Sequence, residues 1–81
     1  MSKKLSKKIE AALEELGVAN FSYATSVAKF DIVKANTVSE ECLDETRVEA
    51  KGYLSSGYSE ERVIATIKAA TNDINKLVAS A

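Results

Sequence analysis

The chain has 81 residues, a mass of 8.7 kDa and a net charge of −1 from 11 basic and 12 acidic residues. With no histidine and Cys42 as its one cysteine, it excludes a zinc site built within one chain, a disulfide framework, and Ser–His or Cys–His nucleophiles. It lacks the basic excess of a free-standing nucleic-acid binder, and no run approaches the ~18 apolar residues of a membrane span.

Proline is absent and glycine occurs three times, so Ala, Glu and Lys set a helical bias along one domain, residues 1–81. Surface scaling gives about 4,700 Å² of exposed area for a folded chain of this mass, with only ~62% of the unfolded surface buried. A partner subunit therefore matters more here than it would to a larger fold.

The first helix is expected over about Ser2 to Leu16. Leu5, Ile9, Ala12, Leu13 and Leu16 share one face, and Gly17 stands at the C′ position that ends the helix. The second is expected over about Phe21 to Ala35, capped by Asn20 or Ser22. It is apolar most of the way round, as the buried centre of a bundle would be. The β-branched and aromatic stretch from Phe30 to Val33 makes strand the competing reading.

The third helix is expected to start after Thr37 or Ser39, with Thr37 and Glu40 as a capping box, and to break near Gly57. Gly52 inside it reads as a close helix crossing. The fourth starts after Ser59, with Glu60 and Glu61 in its first turn and Tyr58 placed to staple Val63. Val63, Ile67, Ala70, Ile74 and Leu77 then recur at four, three, four and three. That periodicity predicts one unbroken helix to about Ala79.

Four features are candidates for function. Glu41, Glu45 and Glu49 make an acidic row at i+4 spacing, with Glu40 and Asp44 beside it. It reads as a docking surface for a basic partner or a site for a hard cation, against a solvated helix face. A straight row does not converge as a cation site requires. Lys3, Lys4, Lys7 and Lys8 form a basic start that would meet phosphates, an acidic protein, or the acidic row of another copy; ordinary solvation is the alternative. Pairing between copies would weaken as salt rises. No apolar run follows these lysines, so no signal peptide is expected. Cys42 reads as a small core residue rather than a reactive thiol.

The fourth is the segment LSSGYSEERVIATIKAATNDINKLV, Leu54 to Val78. Gly57 and Tyr58 form a Gly–aromatic loop, Val63, Ile64 and Ile67 a middle helix, Thr71 to Asp73 a turn, and Ile74, Leu77 and Val78 a last helix. In these positions the segment resembles the ubiquitin-associated domain, over less than half of the chain. Ser56 stands where ubiquitin-binding members commonly carry Met. The resemblance implies a small helical module that binds a peptide or ubiquitin-like protein near Tyr58 and Leu77. It also requires a turn at 71–73, which the unbroken periodicity does not.

Together these readings predict a compact all-α bundle of three to four helices without cofactor, metal site or catalytic residues. The expected function is that of a cytoplasmic protein–protein interaction module: an adaptor, inhibitor or assembly subunit, such as a phage or mobile-element accessory protein, that self-associates. The residues singled out for partner binding are Tyr58, Leu77, Glu41, Glu45, Glu49, Lys4 and Lys8. Two alternatives stand beside it: the ubiquitin-associated module, and a weak nucleic-acid binder acting through the Lys-rich first helix.

Overall fold

A computed structural model describes residues 5–28 and 31–80, and among these the fold is all-α with three helices. α1 spans Lys7–Ala28, α2 Ile32–Ser55 and α3 Glu60–Ser80. Each begins where a short polar side chain can take the place of a missing backbone acceptor. The Ser6 hydroxyl accepts from the amide of Ile9 at 3.3 Å, Asp31 Oδ1 from Lys34 at 3.0 Å, and the Ser59 hydroxyl from Arg62 at 3.2 Å.

The end of α2 is a Schellman turn. Gly57 adopts φ +96°, its amide donates to the Leu54 carbonyl at 3.1 Å, and the Tyr58 amide reaches back to Tyr53 at 3.0 Å. The aromatic pair across that turn, Tyr53 and Tyr58, packs with ring centroids 5.1 Å apart. The expected break near Gly57 and the cap at Ser59 are both present.

α1 is the centre of the bundle. It packs along both other helices, which meet each other only lightly. Ile9, Ala12, Leu13 and Leu16 of α1 bury against Ala50 of α2 and against Val63 and Ile67 of α3, with Leu43, Leu54, Ile64 and Ile74 half-buried around them. The resulting body measures 40 × 25 × 18 Å.

Five sequence expectations are corrected. Gly17 does not end the first helix but lies inside α1, where the missing side chain lets α2 approach. A Cβ built there would stand 3.1 Å from Leu43 Cδ1, and the Ser39 hydroxyl donates to the Gly17 carbonyl at 3.2 Å. The close crossing expected at Gly52 is therefore at Gly17, for nothing lies within 4 Å of a Cβ at Gly52.

The helix expected over 21–35 is divided between α1 and α2, because Asp31 breaks it by capping α2 from an extended backbone, φ −78° and ψ 90°. Phe30 lies outside the described residues. The buried centre expected of that segment belongs to the first half of α1. Thr37 caps nothing, since its hydroxyl donates to the Val33 carbonyl one turn back at 3.0 Å, inside α2. By contrast, α3 is unbroken, as its periodicity predicts. Thr71 continues the helix with its hydroxyl on the Ile67 carbonyl at 3.0 Å, where the ubiquitin-associated pattern places a turn.

Candidate interaction surface

The row of α1 positions that face the bundle axis runs Ile9, Leu16, Asn20, Val27 at spacings of seven, four and seven. The first three are buried, yet Val27 is 64% exposed. One turn before it Tyr23 is also exposed, and across from it Lys34, Ala35 and Val38 of α2 complete an apolar groove of about 140 Å³. No α3 residue lines that groove.

On the first turn of α2, Ile32 and Val33 also project into solvent, Val33, two positions before buried Ala35, on the face turned away from the groove. Scattered exposed apolar residues are ordinary, but Tyr23, Val27 and Val38 share one groove at this end of the α1–α2 hairpin, and such a contiguous group marks a contact surface. The end carries little charge among the described residues: Asp31 and Lys34 stand three positions apart.

The acidic row is exposed along α2. Its carboxylates stay in line as the spacing requires, and among the described residues no three acidic or thiol groups gather as a metal site needs. Asp44 instead pairs with Arg47 one turn on, at 3.2 Å, in an exposed contact. Glu49 also edges a second, smaller hollow of about 90 Å³ between α2 and α3, framed by Thr46, Ala50, Tyr53, Thr66 and Ala70. Ala50, Val63 and Ile67 are so fully buried there that little apolar surface is left to a visitor.

The basic start is only partly in view. Lys7 and Lys8 are exposed in the first turn of α1, while Lys3 and Lys4 lie outside the described residues. Cys42 is a half-buried free thiol next to Leu43.

Tyr58 and Leu77 are both exposed, at 41% and 53%. The Tyr58 ring lies against Tyr53 and beneath the Arg62 guanidinium, 4.8 Å from its centroid. Tyr58 precedes the first turn of α3 and Leu77 lies in its last. The rise of an α-helix puts about 25 Å between them, so they do not share one patch.

Of the residues singled out in sequence, none belongs to the hairpin-end group. Its signal was available in Asp31, a preferred N-cap residue that, read as such, makes Phe21–Ala35 two helix ends with an apolar corner between them. No protein-family model, curated protein or solved structure matches the chain, and no described helix is long and apolar enough to cross a membrane.

Proposed function

We propose that this chain is a non-catalytic helical interaction module that binds protein through the apolar end of the α1–α2 hairpin. The observation that carries the reading is Val27, a position in phase with the buried row of α1 that the bundle leaves uncovered. The absence of histidine from the chain and the half-buried state of its single thiol support a binding role over a catalytic one. Binding by such a surface rests on apolar burial, with hydrogen bonds at its rim fixing register.

The test is affinity capture with the full chain as bait, beside the same chain carrying Val27→Asp. Val27 stands more than half in solvent, so this variant keeps the fold. A partner retained by the first bait and lost by the second places binding at this end. Identical recovery by both baits removes the proposed surface. The ubiquitin-associated reading draws on the exposure of Tyr58 and Leu77 against an α3 that is unbroken at 71–73, where that pattern has a turn, and ubiquitin titration followed by nuclear magnetic resonance tests it. Shifts concentrated at those two residues would support it, and an unchanged spectrum would end it.

A further inference from the structure

We infer that a furrow along α2 seats an amphipathic helix of a partner protein, a helix apolar at its two ends and basic at its centre. This rests on the interaction reading above and extends that surface along α2. Three observations carry it.

The first is alignment, for the two hollows open on the same side of α2. Ala35 and Val38 of the groove stand about three helical turns before Thr46 and Glu49 of the second hollow, and about five turns separate Ala35 from Tyr53. The hollows are therefore two ends of one furrow about 27 Å long. α1 walls it at the hairpin end with Tyr23 and Val27, and α3 walls the other end with Thr66 and Ala70. Leu77, in phase with Ala70 and exposed, continues the α3 wall. Because α2 and α3 meet only lightly, they do not close the furrow between them.

The second is the apolar surface. Val27 and Val38 are exposed at one end and Tyr53 at the other. Apolar anchors spaced by whole turns are what a helix lying in a groove engages.

The third is charge. Glu45 and Glu49 of α2 stand on one bank between those ends, and Asp73, in phase with Thr66, stands on the other. The bases lie elsewhere. Lys34 lines the hairpin end, and Arg62 is turned onto the Tyr58 ring. Arg47 and Lys51 open on the opposite side of α2, toward Leu5 and Glu10. Lys68 and Lys76 stand about 160° and 120° round α3 from Ala70. Lys29 lies outside the described residues. A lysine at the centre of the bound helix meets these carboxylates, with its methylene stem against the Tyr53 ring.

The probe is a synthetic helix of about 18 residues, long enough to span the furrow, with leucines at both ends and lysines at the centre. A second peptide carries glutamates in place of those lysines. Fluorescence anisotropy follows both on the full chain and on Val38→Asp, Leu77→Asp, Glu49→Lys and Val48→Asp. Val48 is an exposed valine on the outward face of α2. The lysine peptide should bind at least tenfold more tightly than the glutamate peptide. Val38→Asp, Leu77→Asp and Glu49→Lys should each weaken it at least tenfold, and Val48→Asp should leave it unchanged. Circular dichroism checks folding, and Leu77→Asp with Glu49→Lys carries the test if Val38→Asp does not fold.

No binding, equal binding of the two peptides, or an equal loss in Val48→Asp overturns the inference. So does sedimentation velocity showing that the chain pairs with itself through Leu77, which gives the furrow to a second copy. A captured protein that Val27→Asp releases but Leu77→Asp and Glu49→Lys retain also overturns the furrow, and leaves the interaction reading standing.

Discussion

The Ser6 hydroxyl donates to the carboxylate of Glu60, 54 residues away, while accepting from the amide of Ile9 at 3.3 Å. One side chain thus caps α1 and ties its start to the start of α3. The two helices run parallel and in register from that point, which sets Ile9 beside Val63 in the core.

The Ser6–Glu60 contact is a coupling, and a double-mutant cycle measures it. Ser6→Ala should cost about 1–2 kcal/mol, from a lost cap and a lost hydrogen bond to a charged acceptor. Glu60→Ala should cost less, since Ser6 still caps α1. Urea unfolding of the singles and the double should return a coupling of about 0.5–1 kcal/mol. Additivity within ~0.3 kcal/mol would mean that the two side chains do not meet in solution.

The two helix-interior glycines make a matched pair. Gly52→Ala should stabilise by about 0.5–1 kcal/mol, because a methyl group there enters open space and the unfolded chain loses freedom. At Gly17 the same methyl group meets Leu43 at 3.1 Å, so the gain is offset and Gly17→Ala should be close to neutral. Gly17→Val, with no room for a second branch, should cost on the order of 2 kcal/mol. Equal gains at Gly17 and Gly52 would show that α2 does not approach α1 where the structure puts it.

Helical class, the Gly57 break, the Ser59 cap and the unbroken α3 were all legible in sequence, because each rests on local chemistry within one turn. Gly17 was not, since a glycine that ends a helix and one that admits a neighbouring helix look alike until the neighbour is placed. Thr37 with Glu40 matched a cap by spacing, but a threonine hydroxyl is equally served by the carbonyl one turn back. The hairpin end escaped notice for a related reason. Periodicity marks Val27 as core-facing, and only packing reveals that it stays more than half in solvent.

The acidic row carries a cost that can be reversed. Glu41, Glu45 and Glu49 repel at i+4 spacing along an exposed face. Glu45→Lys replaces two like-charge pairs by two opposite-charge pairs, and should stabilise the chain by about 0.5–1 kcal/mol at low salt. Thermal unfolding at about 20 mM and 500 mM salt checks the cause. The gain should shrink at the higher salt, where screening is strong over a few ångströms. A gain that salt leaves intact would trace to something other than charge.

The seam of α3 fades along its length, and stability should fade with it. Ile67 is 3% exposed at the centre of the core, whereas Leu77, in phase with it, stands more than half in solvent. Truncating Ile67 to Ala opens a cavity next to Leu13 and Leu16 and should cost about 3 kcal/mol. Leu77→Ala removes a larger side chain than many core substitutions do, but from water, and should cost under ~0.5 kcal/mol. Chemical denaturation of the two variants at a protein concentration low enough to keep copies apart separates these values. A Leu77→Ala cost above ~1.5 kcal/mol under those conditions would mean that the last turns of α3 pack against the hairpin, leaving Val27 covered and the apolar end closed.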